Sequence, residues 1–178
     1  PVIIVDPRAG HGPGIGGFKR DSEVGIALHE GHPVYFTVFH PDPEPDQTMG
    51  DVLAALRHFV ESVSSWHDGK APVLYGNCQA GWMLTLLSAD CSGMVGPTVM
   101  NGSPISYWAS GEEMNPMQTL GGLSGGVWMT RMLSDISNGT FDGAWLVRNF
   151  EQLNPAKAIW GKYYNLFSNI DSERERFL

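Results

Sequence analysis

Val73-Leu74-Tyr75-Gly76-Asn77-Cys78-Gln79-Ala80-Gly81-Trp82 is the stretch on which the reading of this 178-residue chain turns. A short apolar run ends in glycine, a nucleophilic side chain follows two residues later, and small residues come next. Met83-Leu84-Thr85-Leu86-Leu87-Ser88 then reads as a helix. This is the layout of a nucleophile elbow, G-x-S-x-G, with cysteine in the serine position. So tight a strand-to-helix turn leaves no room for bulk two residues before or after the nucleophile. Gly76 and Ala80 hold those places, and Gly81 adds space. The bend would lift the Cys78 thiol over the sheet edge. It would also aim the Gln79 backbone N–H and the helix N-terminus at the same spot, favouring a thiolate and holding an oxyanion. A buried structural cysteine is the competing reading, because free cysteines are among the most buried residues. The strand before Cys78 and the helix after it favour the elbow.

Working outward, strand and helix alternate with short connections. Val2-Ile3-Ile4-Val5, within Pro1 to Asp6, reads as a strand buried on both faces. Ser22 caps a helix to Glu30, which Gly31 stops. Val34 to Phe39 is the next strand, and Pro41-Asp42-Pro43-Glu44-Pro45 a stiff loop. Thr48 caps a helix from about Met49 to Trp66, with Val52, Leu53, Leu56, Phe59, Val60 and Val63 along one face. After the elbow helix, Val95 to Met100 reads as a fourth strand opening into Asn101-Gly102-Ser103-Pro104. This alternation implies a parallel sheet with helices on both faces. From Ile105 the pattern changes. Gly111 to Gly126 is irregular, and apolar helical pieces follow around Trp128 to Leu133, Trp145 to Phe150, and Asn154 to Phe167, with no strand between them. The fold class expected is α/β: an α/β-hydrolase core over residues 1–104 and a helical cap over residues 105–178. The chain starts inside a strand and stops inside a charged helical stretch, so both ends read as cut.

Composition narrows the function. A net charge of −8 without any Lys/Arg cluster argues against a nucleic-acid partner. No apolar run is long enough for a membrane span, and no signal-peptide pattern opens the chain. Cys78 and Cys91 fit no zinc spacing, so no metal and no cofactor is expected, and a reduced, cytoplasmic setting is the simplest one. Gly12-Pro13-Gly14-Ile15-Gly16-Gly17 matches G-x-G-x-x-G. However, proline lies inside the turn, no helix opens on the last glycine, and no acidic residue ends a strand about 20 residues on, so a dinucleotide site is set aside. The loop reads instead as the one after the first core strand, which supplies a second oxyanion donor, with the Arg8 backbone N–H as candidate.

With elbow and cap placed, the chain resembles the polyhydroxyalkanoate synthase group of α/β-hydrolases, and in particular the synthase-like proteins of unassigned function. Glu23 to Phe39 is similar to a synthase helix–turn–strand, Tyr75 to Gly81 to the synthase G-x-C-x-G-G box, and Asn149 to Asn165 to a synthase cap segment. The cysteine box is the one chemical motif among them, and dienelactone-hydrolase-like enzymes share it. Ala80 departs from the box, and the glycine-rich loop at Gly10 to Gly17 departs from the bulkier synthase loop. The resemblance implies that Cys78 attacks a small-molecule hydroxyacyl ester or thioester to give an acyl-enzyme, with Gln79 and Arg8 N–H groups on the oxyanion and His11 and Trp82 contacting substrate. Acyltransfer and hydrolysis differ only in whether a hydroxyl or water takes the acyl group. In this fold the order is nucleophile, acid, histidine. All six histidines (His11, His29, His32, His40, His58 and His67) precede Cys78, and no aspartate after it is assigned as the acid. A fragment whose acid and histidine lie elsewhere is one explanation; a catalytically silent binding module, adhering through its apolar cap, is the other. Homo-oligomerisation stays open.

Overall fold

The β-branched run at the start forms strand β1 (Val2–Val5), in which Ile3, Ile4 and Val5 are at most 2% exposed. A strand covered on both faces lies mid-sheet between two layers. β1 pairs in parallel with β2 (Val34–Thr37) on one side and with β3 (Val73–Asn77) on the other. β3 in turn pairs in parallel with β4 (Thr98–Asn101), giving the order β2-β1-β3-β4. The computed structural model describes residues 1–8, 15–16, 19–106, 122–123, 125–144, 156–168 and 170. The chain forms two compact units, Pro1–Ile105 and Ser106–Leu178. The first is an α/β unit built on this parallel sheet.

Helix α1 (Glu23–His29) starts where the sequence places it. Ser22, fully buried, accepts the Gly25 N–H through its hydroxyl at 2.9 Å. It ends in a Schellman turn: Gly31 takes φ +80°, its N–H bonds Leu28 O, and the His32 N–H bonds Ala27 O. Helix α2 (Met49–Trp66) opens on a capping box between Thr48 and Asp51. Val52, Leu56, Val60 and Val63 recur every three or four residues and are its buried stripe. Phe59, at the flank of that stripe, is 43% exposed.

Helix α3 (Ala80–Asp90) buries Ala80, Gly81, Met83, Leu84 and Leu87. Register puts Ile3 beside Leu74 and Val5 beside Gly76, and this face packs with α2 and α3 into one apolar cluster. Each fully buried aliphatic side chain in it contributes roughly 1.5–3 kcal/mol. Tyr75 and Asn77 point to the opposite face, where α1 lies against β1 and β2.

Two strands are shorter than the sequence pattern implies. β2 ends at Thr37, and Val38 leaves the sheet 65% exposed. β4 starts at Thr98 rather than Val95, because Pro97 has no N–H to give the ladder and contributes only its carbonyl, which accepts the Leu74 N–H at 3.0 Å.

In the second unit the described residues form helix α4 (Trp128–Ile136), a π-helical turn (Ala156–Gly161) and helix α5 (Lys162–Ser168), with no strand among them. The helical piece expected over Trp145 to Phe150 lies outside the described residues, as does most of the irregular stretch 111–126. Among the described residues no helix is long and apolar enough to cross a membrane.

Candidate functional site

The chain runs outward from β1 to β2, then returns past β1 to β3. The order therefore reverses between β1 and β3, and ligands of open α/β sheets bind in the crevice outside the carboxyl ends of strands at such a switch point. The residues that leave those two strand ends are Asp6-Pro7-Arg8 and Cys78-Gln79.

Cys78 stands on a backbone with φ +51°, a left-handed conformation that residues other than glycine rarely adopt. It costs on the order of 1–3 kcal/mol and persists only where neighbours over-determine it. Here they do. The Cys78 N–H bonds Asn101 O at 3.0 Å, and its carbonyl accepts the Gly81 N–H at 3.1 Å. A Cβ on Gly76 would stand 2.7 Å from Leu84 Cδ1 and 3.0 Å from Ala80 Cβ, so the strand can reach the bend only as glycine. A Cβ on Gly81 would lie 2.1 Å from Ser103 Cβ, where the β4 loop crosses the helix start. The crowding expected between Gly76 and Ala80 is present, and the approach of Ser103 to Gly81 is a further one that the spacing does not reveal.

Cys78 is half-buried, whereas Cys91 is fully buried. Gln79 is the N-cap residue of α3, and among the described residues its N–H has no hydrogen-bond acceptor. Its side chain is held aside, with Oε1 accepting the Trp82 indole N–H at 2.9 Å. Trp82 packs on the core and lines a small apolar cavity with Met49, Val52, Leu53, Leu56, Met83 and Leu86, so the indole faces α2.

Arg8 also has positive φ, +63°, but its N–H donates to Asp6 Oδ1 at 2.7 Å. The donor expected for an oxyanion is therefore already occupied by a carboxylate that is itself fully buried. The Arg8 guanidinium lies 4.6 Å from the centre of the Phe39 ring. His11 lies outside the described residues. His67 Nε2 pairs with the Tyr35 hydroxyl at 2.8 Å, near the strands' amino ends and away from Cys78. His40, exposed, lines a groove with Arg8, Phe39 and Phe59 beyond β2. Among the described residues no three His, Cys, Asp or Glu side chains converge as metal ligands.

One group had no place in the sequence argument. Glu23, in the first turn of α1, accepts the Asn77 side-chain N–H at 2.9 Å and the Tyr75 hydroxyl at 3.3 Å, both on Oε1. Its Oε2 is buried without a partner. Burial pushes the Glu23 carboxyl above its ordinary value, with the Asn77 and Tyr75 hydrogen bonds pulling the other way. Tyr75 is raised as well, by burial first and by the Glu23 charge second. An acid just inside a capped helix start is a common sequence pattern, and nothing in it says which strand the carboxyl will meet.

The family model described as "Protein of unknown function (DUF3141)" matches residues 1–178. The chain belongs to the DUF3141 family. It is 50% identical over 181 residues to a Rhizobium meliloti relative named "Uncharacterized protein in ackA 5'region". That match covers 100% of this chain and 25% of the relative, so the chain spans about a quarter of the length of the curated protein it matches. No solved structure matches it.

Proposed function

We propose that Cys78 is the acyl-accepting nucleophile of an α/β-hydrolase-type core, and that the second unit serves as its helical cap. The reading rests above all on the positive φ of Cys78, at a bend where Gly76 and Gly81 leave no room for side chains. Strain of this kind clusters at active sites, where it fixes a reactive group in place. The half-buried thiol sits one residue before the N-terminal turn of α3, where the helix dipole and the Gln79 N–H favour negative charge.

In the proposed reaction the thiolate attacks the carbonyl carbon of a hydroxyacyl ester or thioester. A C–S bond forms, the bond to the leaving alkoxide or thiolate breaks, and the proton taken from Cys78 passes through a base to the leaving group. Water or an acceptor hydroxyl then displaces the cysteine. Gln79 N–H holds the developing oxyanion. The second donor is not Arg8 while Asp6 occupies its N–H. Residues 79–178 contain no histidine, so a histidine base would have to come from another part of the protein. The hydroxyacyl class comes from the resemblance to polyester synthases alone.

Reaction with a chromogenic hydroxyacyl ester, quenched in acid and read by peptide mass spectrometry, tests this directly. The acyl mass is expected on the Cys78 peptide, together with faster iodoacetamide alkylation of Cys78 than of Cys91. No acyl adduct and no preference between the thiols would instead support a catalytically silent binding module.

A further inference from the structure

The network on the far face of β3 carries a feature that the proposed chemistry does not use. Glu23 and Asn77 are 54 residues apart in sequence, yet Glu23 Oε1 accepts the amide of the last residue before the bend at 2.9 Å. Tyr75, two residues earlier on the same face, gives the same oxygen a second hydrogen bond at 3.3 Å. Asn101 is the register partner of Asn77, and its carbonyl holds the Cys78 N–H. One carboxylate thus ties helix α1 to the end of β3, the strand that leads into Cys78.

The anchor behind Glu23 is rigid. Ser22 is fully buried and caps the helix. Gly25 sits so close to the preceding turn that a Cβ there would lie 2.5 Å from Arg20 O. On the opposite face the bend is gripped by Leu84 and Ala80 against Gly76. The Glu23 network is the matching grip from the α1 side.

Architecture alone does not call for a carboxylate here. A buried carboxylate oxygen without a partner is costly, and a well-packed apolar side chain would fill the place at lower cost. We propose that Glu23 is a positioning residue, which holds Asn77 and through it fixes the orientation of the Cys78 thiol at the bend. This inference rests on the reading of Cys78 as a nucleophile. It adds that the thiol's aim is set partly from the face of the sheet that the cysteine helix does not touch.

The test is site-resolved alkylation of Cys78 and Cys91 in the folded protein, with Cys91, buried at the far end of α3, as internal monitor of folding. Glu23→Ala and Asn77→Ala are each expected to slow Cys78 alkylation about 10-fold, as a small misplacement of a reacting group does, while Cys91 stays protected. The double variant is expected to be no slower than either single one, because both remove the same tie. Glu23→Gln keeps an acceptor oxygen for Asn77 and is expected to retain the wild-type rate. Unchanged Cys78 reactivity in Glu23→Ala, or additive losses in the double variant, would overturn the proposal. So would slowing that appears only together with exposure of Cys91, since that marks general loosening. A wild-type protein whose Cys78 reacts no faster than Cys91 would instead remove the nucleophile reading beneath it.

Discussion

Helix α3 has a cysteine at each end, and the two ends differ in almost every respect that governs a thiol. Cys78 precedes the helix on a left-handed backbone, is half-buried, and is hemmed in by Gly76 and Gly81. Cys91 caps the helix on an ordinary backbone with φ −98° and is fully buried. Burial raises its pKa first of all, with Arg57 pulling down and Asp90 pushing up. The dipole points its positive end at the first cysteine and its negative end at the second. The same residue type therefore serves as a candidate reagent at one end and as core filling at the other.

The largest contrast should appear in chemistry. Cys78→Ala is expected to lower acyl-enzyme formation and turnover by on the order of 10⁴-fold or more, as removal of a nucleophile does. Cys91→Ala should leave turnover near wild type and cost roughly 1 kcal/mol of stability. Kinetics with a hydroxyacyl ester, alongside urea unfolding, would show both. Equal effects of the two substitutions would erase the distinction.

Packing gives the next contrast. Gly76→Ala forces a Cβ against Leu84 and Ala80 and should cost roughly 1–3 kcal/mol of overpacking. Gly93→Ala, just past the other helix end, meets no atom within 4 Å and carries only the strain of φ +83°, about 1 kcal/mol. Urea midpoints would rank them, and the reverse order would mean that the bend is looser than its contacts imply. A smaller effect separates two replacements of one residue. Cys78→Gly should be more stable than Cys78→Ala by about 1 kcal/mol, because only alanine retains the left-handed strain.

The smallest expected effect is a pH dependence on the α1 side of the bend. A carboxyl whose folded pKa lies above its ordinary 4.5 holds its proton more tightly when folded. Its contribution is full below 4.5 and is lost as pH rises through the folded value. Glu23→Gln removes that loss. The stability of this variant relative to wild type should therefore climb between about pH 4 and neutrality, as read from urea titrations at stepped pH. A flat difference would show that Glu23 titrates alike folded and unfolded.

What the sequence made legible follows from the range of the forces involved. The β-branched run at Val2–Val5, the caps at Ser22 and Thr48, and the glycine at 76 all express local constraints and can be read from a few neighbours. The parallel α/β arrangement followed from their alternation. The α/β-hydrolase assignment within that class remains part of the proposal. The tie from Glu23 to Asn77 was not legible, because it joins residues 54 apart and depends on where α1 crosses the sheet. The Arg8 amide looked available until the fold turned Asp6 Oδ1 onto it, a two-residue contact set by side-chain direction rather than by pattern. β4 starts later than its apolar pattern implies, because the apolar character of Val95 hides the missing donor at Pro97.

β3 also separates two tasks. Leu74 and Gly76 look into a dry layer that tolerates almost no change of volume, whereas Tyr75 and Asn77 look into a polar one, where a single atom exchanged for another alters charge without altering fit. Edits on the wet side that release Asn77 would change reactivity at the bend while the scaffold stays frozen, a route by which one architecture would acquire new chemistry without being rebuilt.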